Sequence, residues 1–161
     1  MTNPENNEFQ DTEGKVWDEA AVQEWKVATE KEYEESRTTY KALPVLVEVN
    51  SQIVGYGGIW KVSKASGSIG VVLNKSARGM GIGKLTVRVL AQLCFDLGLR
   101  AGAGTMKANM SMRGLMASLG VNENEHVVEL PGRGVVAELG YTIEVERWQR
   151  VDMNIEFEER S

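Results

Sequence analysis

The residues from Arg78 to Lys84, Arg-Gly-Met-Gly-Ile-Gly-Lys, hold the densest concentration of chemistry in the chain. They follow an apolar run at 68–73 and precede a stretch of helical periodicity, so they read as a strand-to-helix loop. At such a junction the unpaired amides of the first helical turn and the positive end of the helix dipole converge on one spot. Alternating glycines let the backbone take positive φ and approach a ligand closely. The result is an anion cradle suited to a phosphate or pyrophosphate, with Arg78 and Lys84 supplying positive charge at its two ends.

Two other phosphate-binding patterns fail here. A P-loop needs Gly-x-x-x-x-Gly-Lys-Ser/Thr. Counted back from Gly83-Lys84, the first glycine position holds Arg78, and Leu85 replaces the hydroxyl that would hold magnesium. A dinucleotide fingerprint needs Gly-x-Gly-x-x-Gly with an acid about twenty residues on, whereas these glycines alternate and no acid follows at a suitable strand end. A lone histidine and a lone cysteine leave no zinc ligand set, so no metal is expected. Cys94 shares an apolar helix face with Leu90 and Leu97 and reads as buried rather than nucleophilic. His126 stands among Glu123, Glu125 and Glu129 and reads as a solvated or strand-edge residue rather than a catalytic one.

Periodicity and turn chemistry give the elements that must position the loop. Asp18 is placed to cap a helix running to about residue 40, with Ala21, Trp25, Ala28 and Tyr33 at near-helical spacing and Pro44 as its stop. Strands are expected at 45–49 and 53–60, joined by a turn at Asn50-Ser51-Gln52, and again at 68–73. A helix over 84–97 follows, with Leu85, Val89, Leu90, Leu93, Cys94 and Leu97 as its apolar face and Gly98 as its stop. A short strand at 103–107, a helix at 110–119 ended by Gly120, and strands at 126–130 and 135–145 complete the series. The segment after Trp148 reads as a further strand or a surface crossing, and a short strand is indicated near 8–10. Strands and helices alternate only in the middle, which predicts a mixed α/β fold with a mixed sheet rather than a parallel one.

With 161 residues and 42% hydrophobic content, the chain fits one domain (15–161) behind a polar tail (1–14). It has no run of about 18 apolar residues and no apolar signal-peptide stretch near Met1, so no membrane association is expected. One cysteine cannot form an internal disulfide, which is compatible with a reducing, cytoplasmic location. Charge is unevenly spread within a net of −5. Residues 1–35 carry eleven acids and three bases, residues 60–113 carry nine bases and the single acid Asp96, and 114–161 carry ten acids and four bases. A basic middle in an acidic chain points to a local polyanion site. Nucleic acid would be repelled by the acidic flanks, so no nucleic-acid partner is expected and a compact phosphate-bearing ligand fits better.

Arg78-x-x-Gly81-x-Gly83 resembles the Arg/Gln-x-x-Gly-x-Gly/Ala signature of the GNAT superfamily of acyl-CoA N-acyltransferases. The setting is similar too: apolar strand before, amphipathic helix after, then Asn109 and a short helix closing at Gly120-Val121 with Leu115 at its internal apolar position. The likeness runs from Val45 to Val121. The run Asn109 to Arg113-Gly114-Leu115-Met116 and the closing Tyr141-Thr142-Ile143 to Trp148 resemble RimJ/RimL-type members, which act on ribosomal proteins. The resemblance implies a GNAT-like mixed, mostly antiparallel sheet flanked by helices, and acetyl-CoA as co-substrate. It implies that the loop, Arg78, Gly79, Met80, Gly81, Ile82, Gly83 and Lys84, takes the pyrophosphate. The edge at Val71, Val72 and Leu73 takes the pantetheine arm and thioester oxygen, with Asn109 on the other side.

The resemblance further implies direct attack of a primary amine on the thioester, with positioning supplying much of the rate. It also shows departures. The position of a customary Tyr acid holds Met116, that of a customary Glu base holds Ser68, and that of a Ser holds Met112, beside Ser111. Glu48, Tyr141 and Ser111 are the remaining candidates for proton handling. Trp60 reads as strand packing or a pocket wall. The acceptor, small molecule or protein, stays open among protein N-termini, polyamines, antibiotics and metabolites, and a homodimer is compatible with the sequence. The alternative to an enzyme is a non-catalytic acyl-CoA-binding sensor on the same fold.

Overall fold

The computed structural model describes residues 16–39, 41–130 and 134–154, so the polar tail 1–14 and the strand near 8–10 lie outside the described residues. Asp18 caps helix α1 (Glu19–Thr39): its Oδ1 accepts from the Ala21 amide at 2.8 Å and its carbonyl from Val22 at 3.0 Å. Pro44 does not serve as the helix stop; it lies inside strand β1 (Ala42–Val49), opposite Gly58. β1 is the sheet edge and pairs with β2 alone, so a residue without an N–H is tolerated there. Asn50 and Ser51, with φ of 51° and 61°, form the tight turn into β2 (Gln52–Ser63).

Next come β3 (Ser66–Leu73), α2 (Ile82–Asp96), β4 (Arg100–Met106), α3 (Met110–Ser118), β5 (Glu123–Leu130) and β6 (Gly134–Ile143). The strand predicted to reach 145 ends at Ile143, where the chain turns into a 3-10 turn at Val145–Arg147. β4 begins three residues before the predicted 103, because its first residues pair with β3. The sheet order is β1-β2-β3-β4-β6-β5, antiparallel throughout except between β3 and β4. This is the mixed, mostly antiparallel α/β architecture that the sequence predicts.

The parallel pair is short. Ser66–Ser68 align with Arg100–Gly102, and no register joins the strands beyond those positions. Residues 69–73 and 103–106 therefore splay apart, opening the sheet directly below the glycine loop.

Helices α2 and α3 cover one face. Val87, Leu90, Ala91, Cys94 and Met116 pack there on Ile59, Ile69, Ala103, Leu139, Tyr141 and Ile143. The apolar stripe of α2 differs from the predicted one: Leu85 and Leu97 are 54% and 63% exposed, while Val87 and Ala91 are fully buried. The helix is apolar around most of its circumference, so spacing alone does not choose the buried stripe. Burial raises the Cys94 thiol to about 11, in keeping with its core position. The C-terminal segment adds no strand among the described residues but crosses α2. Trp148 meets Phe95 edge-on at 5.7 Å, and Arg150 binds Asp96 at 2.9 Å. On the opposite face α1 lies over Trp60, whose Nε1 donates to Glu32 at 3.3 Å. No described helix is long and apolar enough to cross a membrane.

Candidate functional site

The loop is built from two kinds of glycine. Gly79 and Gly81 have φ of 76° and 80°, and a Cβ at either would meet nothing within 4 Å. The backbone conformation selects glycine there, and the space above it is open. At Gly83 a Cβ would stand 3.3 Å from Leu115 Cδ1 and 3.4 Å from Leu73 Cδ1, so this glycine lets α2 pack against α3 and the end of β3.

α2 begins at Ile82, two residues before the predicted start, so the last part of the loop is already helical. Its first turn closes from the Leu85 amide to the Gly81 carbonyl at 3.0 Å, which leaves the Ile82, Gly83 and Lys84 amides without intrahelical partners. No side chain caps this end and no acid stands in its first turn. Nothing on the helix itself competes with an incoming anion.

The flanking charges have structural duties. Arg78 Nε donates to the Leu73 carbonyl at 3.1 Å, tying the loop to the end of β3. Lys84 Nζ donates to the Ser118 carbonyl at 3.0 Å, so its ammonium sits at the negative end of α3 rather than free at the end of the cradle. The basic segment of the sequence is not one surface either. Lys107 pairs with Glu125 at 2.8 Å and Arg113 with Glu123 at 2.9 Å, both acids coming from β5. The Arg113 guanidinium holds the Glu123 carboxyl below its ordinary value. The β5 acids thus neutralise part of the basic segment, and Arg88 Nη2 donates to the Gln149 carbonyl at 3.3 Å.

Val71, Val72 and Leu73 lie on the stretch of β3 that has left β4, with no ladder on that side. Across the opening, Asn109 caps α3. Its Oδ1 accepts from the Met112 amide at 3.1 Å and its Nδ2 donates to Thr105 Oγ1 at 2.9 Å. One Nδ2 hydrogen is spent in this way, out of the two that an asparagine amide carries.

The proton-handling candidates are scattered. Glu48 lies exposed on edge strand β1, with β2 and β3 between it and the splay. Tyr141 is 4% exposed on the helix-covered face, and its hydroxyl donates to Glu123 at 3.4 Å. Burial, reinforced by the Glu123 charge, raises the phenol above its ordinary value. Ser111 is exposed in the first turn of α3. Met116 is wholly buried in the core. Among the described residues no cluster of His, Cys, Asp and Glu is arranged to hold a metal.

A constellation that sequence reading passed over lies on the sheet face opposite α2. A trough of about 570 Å³ runs over β3, β4, β6 and β5, and His126 and Glu138 stand within it, His126 Nε2 being 3.0 Å from Glu138 Oε2. In the sequence His126 is surrounded by acids in adjacent positions. The signal that counts is period two, which puts His126 and Glu138 on one face as direct cross-strand partners while Glu123 and Glu125 point to the other.

With this geometry in place, comparison with known proteins assigns the family. Residues 6–121 match the acetyltransferase (GNAT) family. No curated protein resembles the chain closely enough in sequence to count as a match. Among solved structures, Mycobacterium smegmatis RimJ in complex with CoA-disulfide superposes with a TM-score of 0.67 at 25% identity. The alignment covers 78% of this chain and 63% of RimJ, so the chain spans less than two thirds of that protein. The ribosomal-protein-S5-alanine acetyltransferase of Vibrio fischeri gives a TM-score of 0.64 at 19% identity, covering 78% and 73% of the two chains. YncA of Salmonella typhimurium, solved with its cofactor acetyl-CoA, gives 0.59 at 17% identity, covering 71% and 70%. The open glycine cradle, the splayed parallel pair and the family match agree, and the chain belongs to the acetyltransferase (GNAT) family.

Proposed function

We propose that this protein transfers an acetyl group from acetyl-CoA to a primary amine by direct attack. The observation that carries the reading is the uncapped start of α2, open above Gly79 and Gly81 and set beside the β3–β4 splay. The free amides at Ile82, Gly83 and Lys84 suit a pyrophosphate, with Arg78 and Met80 flanking it. The unladdered edge at Val71, Val72 and Leu73 suits the amide groups of a pantetheine arm, which would run into the splay as an added strand. Asn109 bounds the arm on the other side with its remaining amide hydrogen.

A thioester carbonyl lying against this edge would place its oxygen near the Leu73 amide, which faces the splay while that of Val72 faces β2, and which stabilises charge as it develops there. The amine then attacks from the opposite face of the splay, and holding the two reactants in line supplies much of the rate. That the structures of two similar proteins contain CoA-disulfide and acetyl-CoA supports the choice of co-substrate. The acceptor is a primary amine of a small molecule or of a protein, and the family setting supports a cytoplasmic enzyme.

One observation favours a second reading, a non-catalytic acyl-CoA-binding module: Met116, where the family resemblance leads one to expect a tyrosine acid, is buried in the core. Calorimetric titration with acetyl-CoA, followed by thiol release across an amine panel, separates the readings. Binding with turnover is the expected result. Binding without turnover on any amine supports the module, and no binding overturns both.

A further inference from the structure

The trough opposite α2 is floored by glycine. Gly102, Gly104 and Gly140 lie side by side on β4 and β6, with Gly104 directly opposite Gly140, and their bare backbones leave room for neighbouring side chains to lean across. A Cβ at Gly104 would stand 2.6 Å from Glu138 Oε1, and a Cβ at Gly140 would stand 3.1 Å from His126 Cε1 and 3.6 Å from Nδ1. The carboxylate thus occupies the space over one glycine and the imidazole the space over its cross-strand partner. Both lean along the sheet toward Gly102, whose neighbour across the short parallel register is Ser68. Gly104 itself lies on the part of β4 that has already left β3.

We infer that this trough receives the acceptor as a primary ammonium, with Glu138 as its binding carboxylate and His126 as the base that takes its proton. The inference rests on the acetyl-transfer reading above for its chemistry, but the trough and the pair stand on geometry alone. Glu138 Oε2 is engaged by His126, and Oε1 faces the open floor over Gly104. When Nε2–H donates to Glu138, the Nδ1 lone pair is left over Gly140, a few ångströms from where an ammonium on Oε1 would lie. A carboxylate that orients an imidazole in this way fixes its tautomer and steadies the cation that forms.

The step balances. The ammonium gives one proton to His126 Nδ1, and the freed nitrogen lone pair forms a C–N bond to the thioester carbon. The C–S bond breaks with its electron pair on sulfur. The nitrogen loses a second proton, which the departing thiolate takes. His126 returns its proton to solvent, so one amide, one thiol and one proton result. The missing base at Ser68 and the missing acid at Met116 do not bear on this route, because the base comes from β5.

The chain contains a single histidine, so the imidazole resonances of untagged protein report on His126 directly. The experiment titrates two probes, 1,4-diaminobutane and a peptide with a free N-terminal alanine, into the protein with coenzyme A present. The expected result is a saturating shift of the His126 Cε1–H resonance by one of them, weakened about tenfold or more in Glu138→Gln, since a hydrogen bond to a charged group carries that much. A shift by the diamine alone assigns a small polyamine acceptor, and a shift by the peptide alone assigns a protein N-terminus. In turnover, Glu138→Gln raises KM for the amine, and His126→Gln lowers kcat about a hundredfold with KM little changed. Both leave acetyl-CoA affinity within about twofold. Gly104→Val, whose Cβ displaces the Glu138 carboxylate from the floor without changing its charge, provides a second test should Glu138→Gln prove unstable, and it abolishes the shift. An unmoved His126 resonance with both probes overturns the inference whether or not turnover occurs. A loss of acetyl-CoA binding in wild-type protein instead overturns the acetyl-transfer reading and leaves the resonance test standing.

Discussion

Two parts of the molecule are rich in glycine for opposite reasons. In the loop, Gly79 and Gly81 take positive φ with empty space where a Cβ would lie. On the floor, Gly104 and Gly140 are ordinary strand residues without positive φ, and the space where a Cβ would lie is occupied by Glu138 and His126. The loop needs glycine to hold a backbone shape around something that arrives; the floor needs it to admit side chains already there. On the readings proposed above, the difference separates two sites, one made of backbone amides for an anion and one made of side chains for a cation. The splay between β3 and β4 lies between them.

The sharpest way to break the comparison is Gly81→Glu. It forces a β-carbon into the left-handed region, at about 1–2 kcal/mol, and sets a carboxylate among the free amides. Acetyl-CoA binding by calorimetry should disappear while the circular dichroism spectrum stays native. A folded variant that still binds would show that the loop is not the anion cradle.

The floor should answer differently. Gly140→Val adds a β-branched residue that suits a strand, so the cost is displacement of the His126 ring rather than backbone strain. Acetyl-CoA affinity should stay within about twofold while kcat falls roughly tenfold or more, as removal of a positioned base requires. Equal losses in binding and turnover would merge the two sites into one.

The shape of the loop was legible in the sequence because its glycines are neighbours and its backbone conformation is set locally. The floor was not, because Gly140 is far in the chain from Gly102 and Gly104 and meets them only through the β4–β6 register. His126 is exposed on the edge strand β5, as the sequence suggests, but its place beside Glu138 and Gly140 is set only by the β5–β6 register. The charge pattern misled in a related way: the acids that neutralise Lys107 and Arg113 lie on β5, and only strand pairing brings them there. Element types and the sheet class followed from periodicity. The errors fell where tertiary context decides, as with Pro44 in an edge strand and the buried stripe of a helix apolar on most sides.

A smaller effect tests how the loop is supported. α3 holds it through Leu115 against Gly83 and through the Ser118 carbonyl on Lys84. Met116 is the fully buried residue of that helix. Met116→Tyr restores the residue that the family resemblance leads one to expect, but it forces a larger polar side chain into packed core and should cost about 1–3 kcal/mol in denaturant unfolding. Turnover should not rise. A gain in kcat with unchanged stability would show that this position reaches the reacting atoms, and that the base on β5 is not the whole of the proton chemistry.

The smallest expected effect comes from acid acting on the Arg113–Glu123 pair of the helix-covered face. Arg113 holds the Glu123 carboxyl below its ordinary value of 4.5. A carboxyl depressed in the folded state contributes stability above its unfolded pKa, and that contribution is lost as the pH falls through the folded value. The pair is solvent-exposed, so the effect is small and screened by salt. Thermal unfolding of the wild type should therefore lose stability between pH 4.5 and lower values, and Glu123→Gln should lose less over the same interval while starting lower at neutral pH. At pH 7 the same variant should leave the His126 resonance unmoved, because Glu123 and His126 project from opposite faces of β5. A shifted His126 resonance in Glu123→Gln would mean that the two faces are coupled through Tyr141, whose hydroxyl reaches Glu123 from one face while its backbone lines the trough on the other.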